Sequence, residues 1–325
     1  MKVLVTGGAG FIGSNFVRLL AGGGMPELGC TELVVVDSLT YAGNIENIRA
    51  LVESGDVRFV RGDIRDSALM KSLLEGVETV FHFAAESHVD RSISNSADFV
   101  QTNVVGTHNL LQAALEEEVG KFVLVSTDEV YGSIDSGSWT EDHVLEPNSP
   151  YAASKAAADL IARSYHRTHG MPVVVGRASN NYGPYQFPEK LIPLFVTNLL
   201  EGRQISLYGD GLNVRDWLHV DDHCRALGLL ASAGEPGEFY NIAGHGEMTN
   251  EQITGLLLEL TGRDRSSVRY VEDRKAHDRR YSLDGSKIER IGYKPSVPIS
   301  EGLAETVRWY ERNRAWWAPL KLRSA

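Results

Sequence analysis

The 325-residue sequence predicts a doubly wound α/β fold, a parallel sheet covered by helices, with a smaller α+β domain capping it. Three observations predict it. Short apolar runs alternate with helical stretches through the first half of the chain. A glycine-rich turn joins the first apolar run to the first helix. After about Tyr182 the rhythm changes, with Pro184, Pro188, Pro193, Gly209 and Gly211 marking turns.

Strands are predicted at Lys2–Val5, Glu32–Val36, Arg58–Val60, Thr79–Phe83, Lys121–Ser126 and Val173–Arg177. Helices are predicted at Phe11–Ala21, Val100–Glu117 and Tyr151–His169. Strands separated by helices make right-handed βαβ units, and these leave the doubly wound sheet as the natural topology. In the second half, Asn250–Leu260 and Ser300–Arg312 read as helices. Glu238–Ala243 (EFYNIA) is apolar enough to return to the main sheet. The division is therefore 1–181, with returning segments near 206–243, and 182–325, with an interleaved boundary. Gly22–Thr31 is a glycine-rich loop.

A hydrophobic fraction of 42% supports a substantial core. The net charge of −11 argues against nucleic acid as a partner, which would call for a basic excess. With 2 cysteines, Cys30 and Cys224, neither a disulfide framework nor a metal-spaced cluster is expected. No run approaches the roughly 18 apolar residues of a membrane span, and the start, MKVLVTGG, reads as a strand rather than a leader. A cytoplasmic protein without metal is expected.

Gly7, Gly10 and Gly13 lie in VTGGAGFIG, between the first strand and the first helix. One glycine permits a tight turn, one lets backbone approach a pyrophosphate, and one allows close helix–strand packing. The helix N-terminus offers free N–H groups to the anion. This is the mark of a Rossmann-type dinucleotide site. Asp37 closes the second strand. A carboxylate there accepts from ribose hydroxyls and repels a 2′-phosphate, which favours NAD over NADP. Its neighbours Ser38, Leu39 and Thr40 include no arginine to welcome that phosphate. Asp63 and Ile64, after the third strand, are expected near the adenine.

Tyr151 and Lys155 form Y-x-x-x-K in SPYAASK. Ser149 is a good N-cap and Pro150 a good first helical residue, so the two side chains share one face, a turn apart. A nearby ammonium and a positively charged nicotinamide favour the phenolate, which can then take a proton from an alcohol as hydride leaves the same carbon. Thr127 ends the strand KFVLVST, where α/β sheets bind ligands. Asp128 and Glu129 follow at once. For both carboxyls to serve one site the chain must already be turning at Asp128, since in a continuing strand they would face opposite ways.

These motifs resemble the extended short-chain dehydrogenase/reductase family. HFAAESHVDRS (82–92), STDEVYGS (126–133), SPYAASK (149–155), SNNYGPYQFPEKLIP (179–193) and LYGDGLNVRDWLHVDDH (207–223) are similar to the dTDP-glucose 4,6-dehydratases within it. The adjacent Asp–Glu pair is the most discriminating feature, because sugar epimerases of the superfamily carry small or neutral residues there. The resemblance implies oxidation at the sugar C4 with Tyr151 as base, loss of water across C5 and C6 with Glu129 as base and Asp128 as acid, and a tightly held NAD. It adds Phe11, Ile12, Phe83, Ala84, Ala85, Thr102 and Asn181 to the cofactor side. It adds Ser87, Asn180, Glu189, Lys190, Leu191 and Asn250 to the substrate side, with Ser206, Leu207 and Tyr208 along the base.

Arg215, Arg274 and His277 are the best candidates for a diphosphate, since the guanidinium fork matches phosphate oxygens. Helices 100–117 and 151–169 resemble the pair through which such enzymes form homodimers. An epimerase or decarboxylase on the same fold, or a non-enzymatic dinucleotide sensor, are the alternatives. The Asp128–Glu129 pair argues against the first two, and the intact Tyr151 and Lys155 against the third.

Overall fold

The computed structural model describes residues 1–273 and 277–322. Strands β1 (Lys2–Thr6), β2 (Glu32–Asp37), β3 (Arg58–Arg61), β4 (Thr79–His82), β5 (Lys121–Thr127) and β6 (Val173–Ala178) come first. Strands β7 (Asn180–Tyr182), β8 (Ile205–Tyr208), β9 (Val214–His219), β10 (Phe239–Ile242), β11 (Glu247–Thr249) and β12 (Val268–Val271) follow. Among the described residues the main sheet has seven strands in the order β10-β6-β5-β4-β1-β2-β3. Every neighbouring pair in it is parallel. The chain leaves β1 in both directions across the sheet, which opens a crevice at the strands' C-terminal ends.

The sheet is buried on both faces, so its strands read as continuous apolar runs. Val3, Val5 and Val35 face the helices Phe11–Ala21 and Val220–Ala233 through Phe16, Val17, Leu20 and Leu227. Leu4, Val34 and Val36 face the opposite side, against Leu110, Leu111, Ala158 and Ala162. The EFYNIA segment does return to the main sheet: Phe239–Ile242 pairs in parallel with Val175–Ala178. Strands β7, β9 and β11 form a separate sheet, and β8 pairs with β12. The helices Leu191–Leu200, Asn250–Leu260 and Ile299–Arg312 pack around a third core of Phe195, Leu257, Leu303 and Tyr310.

One helix departs from expectation. The span predicted as a single helix over 100–117 begins at Ser96, widens to π-helical turns over Val100–Gly106, and becomes α-helical over Thr107–Glu116. Asn103 sits in the wide stretch. Its Nδ2 donates to the Glu86 carbonyl and to Ser154 Oγ, both at 2.9 Å, while its Oδ1 accepts the Glu86 N–H at 2.8 Å. Wide turns of this kind are rare and occur frequently at functional sites.

Candidate active site

The first glycine turn is shaped by close approach. Gly7 has φ of +70°, and a Cβ there would lie 2.5 Å from the backbone N of Ala84. A Cβ on Gly13 would lie 2.3 Å from the Gly7 carbonyl oxygen. The turn therefore runs directly over the end of β4, with the N–H groups of Gly7 and Gly10 bonded to the Val36 and Gly7 carbonyls. Asp37 is buried at the end of β2, and its oxygens accept the N–H groups of Leu39 at 2.8 Å and Ala9 at 2.9 Å. Burial raises its pKa and these two bonds oppose the rise. Each oxygen keeps a lone pair for a ligand hydroxyl.

A cleft of about 240 Å³ follows this turn. Gly7, Gly10, Phe11, Ile12, Gly13, Asp37, Ser38, Thr40, Asp63, Ile64, Phe83, Ala84, Ala85, Thr102, Tyr151 and Lys155 all line it, as expected from the sequence. An anion-receiving turn, a buried ribose-facing carboxylate and an apolar slot beside Ile64 fit a dinucleotide without a 2′-phosphate.

Two expected residues are elsewhere. Leu39, at φ of 53°, uses its N–H to fix Asp37 and does not face the cleft. Asn181 faces the neighbouring cavity, where its Oδ1 meets His223 Nδ1 at 2.9 Å and its Nδ2 donates to the Ser179 carbonyl.

That second cavity measures about 430 Å³ and meets the first at Phe11, Ile12, Ser87, Ser126 and Tyr151. Ser87, Thr127, Asn180, Glu189, Lys190, Leu191, Ser206, Leu207, Tyr208, Arg215, Asn250 and His277 line it, together with Asp128 and Glu129. Arg274 lies outside the described residues.

Strand β5 ends at Thr127 and a 3-10 turn begins at Asp128, as the two adjacent carboxyls require. The Thr127 hydroxyl accepts the Glu129 N–H at 3.3 Å and so caps the turn. The two carboxyls differ in burial. Asp128 is 1% exposed, whereas Glu129 is partly open to solvent. Burial first, and then the Glu129 charge, hold the Asp128 pKa well above the usual carboxylate range, which favours its protonated form. Its Oδ2 has no hydrogen-bond partner among the described residues, and neither do Asn180 Oδ1 and Asn250 Oδ1. Leaving such atoms unpaired costs about 1–3 kcal/mol each, and a polar ligand in the cavity would relieve it.

Tyr151 opens the helix Pro150–His169, whose N-cap Ser149 accepts the Ala152 N–H at 3.1 Å. Lys155 follows one turn later. Its ammonium, however, donates to the Val125 carbonyl at 2.7 Å, and burial lowers its pKa to about 8. The expectation that this ammonium favours the phenolate is not met here. Burial and the Glu129 charge raise the Tyr151 pKa, and the Thr127 hydroxyl bonded to the phenol opposes them. These protein groups thus favour the neutral phenol.

The positive groups are held by their own partners. Arg215 donates to the Val214 carbonyl at 2.7 Å and the Asp278 carbonyl at 2.8 Å, with its guanidinium 4.2 Å above the Tyr281 ring. Part of its fork is therefore committed to fixing its position. His277 Nδ1 lies 2.5 Å from Asp273 Oδ1. Lys190 Nζ donates to the Ser87 carbonyl at 2.7 Å. Glu189, raised by burial, lies 3.3 Å from Arg91.

Sequence reasoning missed Gln186, which lines both cavities, and His223 and Tyr281 in the larger one. Gln186 and His223 stand inside segments already singled out, so proximity to those motifs was the available signal. Nothing local marks Tyr281.

The family model for GDP-mannose 4,6-dehydratase matches residues 4–306. A dTDP-glucose 4,6-dehydratase of Actinoplanes sp. is 58% identical over 320 residues, covering 98% of this chain and 100% of the relative. One from Streptomyces antibioticus is 56% identical, covering 100% of this chain and 97% of the relative. The crystal structure of DesIV, a dTDP-glucose 4,6-dehydratase from Streptomyces venezuelae with NAD and TYD bound, superposes with a TM-score of 0.97 at 61% identity, covering 98% and 100% of the two chains. A UDP-glucose 4-epimerase from Thermotoga maritima also shares the fold, at a TM-score of 0.88 and 33% identity, covering 97% and 100%. The chain belongs to this dehydratase family, and within it to the dTDP-glucose 4,6-dehydratases.

Proposed function

We propose that the protein converts dTDP-glucose to dTDP-4-keto-6-deoxyglucose, with NAD held in the smaller cleft and the sugar nucleotide in the larger cavity. The observation that carries this reading is the pair Asp128 and Glu129 on one turn, one buried with its pKa raised, the other partly exposed, both lining the cavity that Tyr151 joins to the cofactor cleft. An epimerase needs no such pair. Residues 1–181, with returning segments near 206–243, serve the dinucleotide, and 182–325 the sugar nucleotide.

The glycine turn, Asp37 and the Ile64 slot hold NAD, which when bound supplies removal of hydride from the sugar C4 and its return to C6. Tyr151 accepts the 4-hydroxyl proton, with Thr127 bonded to its phenol. The phenol requires help to ionise, and the positive nicotinamide is the group that supplies it. The ketone so formed acidifies the C5 proton, which Glu129 removes. Asp128 donates its proton to the departing 6-hydroxyl and water leaves; as hydride reaches C6, C5 is reprotonated by a proton exchangeable with solvent. The difference in surroundings is what lets adjacent carboxyls act as acid and base together. Lys155, held on the Val125 carbonyl, lines the cofactor cleft beside Tyr151. Ser87, Asn180 and Lys190 orient the sugar, and Arg215 and His277 face the diphosphate.

The same reading makes the protein a cytoplasmic homodimer, paired through the helices 96–116 and 150–169. The exposed apolar side chains of Ile93, Val100, Val105 and Leu160 support that face. Among the described residues no helix is long and apolar enough to cross a membrane.

The test is a panel of dTDP-, UDP- and GDP-hexoses in deuterated water. A 4-keto-6-deoxy product with deuterium at C5, formed fastest from dTDP-glucose, is expected. Epimerisation without loss of water would overturn the reading. In the variant Glu129→Gln the first oxidation should still reduce the cofactor while dehydration stops; unimpaired dehydration there means another group is the base.

A further inference from the structure

The C-terminal helices lie far along the chain from the glycine turn, yet a run of contacts joins them. Trp316, on the helix Arg314–Lys321, donates its Nε1–H to Asn47 Oδ1 at 2.8 Å. Asn47 Nδ2 donates to the Ala9 carbonyl at 2.9 Å. Ala9 stands between Gly7 and Gly10, and its own N–H is one of the two that Asp37 accepts. Arg18 closes the same knot by donating to the Asn47 carbonyl at 2.9 Å. Asn47 is buried, and both ends of its amide are engaged.

Rings brace the outer end. The Arg18 guanidinium sits 3.7 Å over Tyr185. Tyr185 lies 4.5 Å from Trp309 and 5.6 Å from Trp316 between ring centroids. Tyr185 holds a φ of 67°, unusual for a non-glycine residue and kept only where packing enforces it. The next residue, Gln186, lines both cavities, and its carbonyl accepts the Tyr310 hydroxyl. Neither Trp316 nor Asn47 lines either cavity. Asn47 reaches the cofactor cleft through Ala9, and Trp316 reaches it through Asn47 and through the Tyr185 ring beside Gln186.

We propose that Trp316 is a positioning residue, latching the C-terminal helices onto the glycine turn through Asn47 and slowing release of the bound dinucleotide. The inference rests on the NAD reading above. A ligand seated under a turn whose Ala9 is held at its N–H by Asp37 and at its carbonyl by the Asn44 N–H and the Asn47 side chain leaves only when the turn opens. A net hydrogen bond of ordinary strength, once lost, makes that opening about fivefold more frequent. An enzyme that regenerates its cofactor in every turnover has a use for such retention.

The experiment uses the full chain loaded with NADH and chased with excess NAD⁺, following the loss of bound-NADH fluorescence by stopped flow. Trp316→Phe keeps the ring packing and removes the donor; release about fivefold faster than wild type is expected. Asn47→Ala should release faster still, and adding Trp316→Phe to it should change nothing further, because the indole donor then has no acceptor. That lack of additivity separates a latch from general loosening. An unchanged release rate in Trp316→Phe overturns the proposal, as do effects that multiply in the double variant. Should Trp316→Phe fold poorly, an unchanged rate in Asn47→Ala overturns it equally. Wild-type protein that binds no NADH at all would instead sink the cofactor reading, and the latch with it.

Discussion

The Thr127 hydroxyl lies 3.2 Å from Asp128 Oδ1 while accepting the Glu129 N–H at 3.3 Å, so one side chain both ends the strand and ties the two carboxyls to a single turn. Asp128→Asn tests the acid. Asparagine has the shape of a neutral carboxyl but no proton to give. The first oxidation should survive, and dehydration should slow by about 10²–10⁴, the usual contribution of a positioned general acid. Single-turnover absorbance separates the two steps. Equal slowing of both would place Asp128 in binding rather than in proton transfer.

The same substitution makes a stability prediction whose sign is fixed. The folded-state pKa of Asp128 is raised above that of the unfolded chain. The native state therefore binds more protons than the unfolded state above about pH 4, and this group's contribution is full below that and lost as pH rises towards the folded pKa. Asp128→Asn carries no such dependence. The melting temperature of the variant relative to wild type should climb between pH 4.5 and 7. A constant difference would mean that the buried carboxyl ionises normally.

Glu129 acts on Tyr151 through its charge. Its charge is the second cause, after burial, of the raised phenol pKa. In Glu129→Gln that charge is gone, and the phenolate forms more readily. The pH profile of cofactor reduction in single turnover should shift to lower pH in this variant, even though dehydration is blocked. A profile that stays in place, or moves upward, would show that the phenol does not sense Glu129.

What the sequence made legible here is what depends on neighbours along the chain. The glycine turn, the N-cap at Ser149 and the one-turn spacing of Tyr151 and Lys155 follow from local backbone geometry. So does the need for the chain to turn at Asp128. Four features could not be read that way. The unequal burial of Asp128 and Glu129 depends on what packs over the turn. The attachment of Lys155 to the Val125 carbonyl depends on strand β5 lying under the helix. Asn181 was assigned to the cofactor, but His223, from a helix 42 residues on, holds it in the other cavity. The π-helical turns over Val100–Gly106 likewise answer to Glu86 and Ser154, not to their own sequence.

A buried ion pair stands behind the catalytic helix. Arg177 Nε lies 2.9 Å from Asp159 Oδ2, and Arg177 also donates to the Tyr131 hydroxyl at 2.7 Å. Asp159 is one turn beyond Lys155 and raises its pKa against the larger effect of burial. Asp159→Asn should cost about 3–5 kcal/mol in denaturant unfolding, the usual result of stranding a buried charge. It should also lower the Lys155 pKa further below about 8. Asp159→Glu, which keeps the charge, should restore the pH profile even if it does not restore full stability.

The glycine turn offers the sharpest steric test. In Gly13→Ala the new Cβ meets the Gly7 carbonyl oxygen at 2.3 Å, and a backbone atom cannot swing aside as a side chain can. The first helix must back away from β1, which moves the N–H groups that face the dinucleotide. NAD affinity, measured by calorimetry, should fall by at least tenfold. Gly55→Ala provides the contrast: its φ of +82° is equally unfavourable to alanine, but nothing lies within 4 Å of the added Cβ. That variant should lose stability of about 1 kcal/mol and keep its NAD affinity. Equal losses of affinity in the two variants would show that strain in the chain, rather than the close approach at Gly13, sets the cradle.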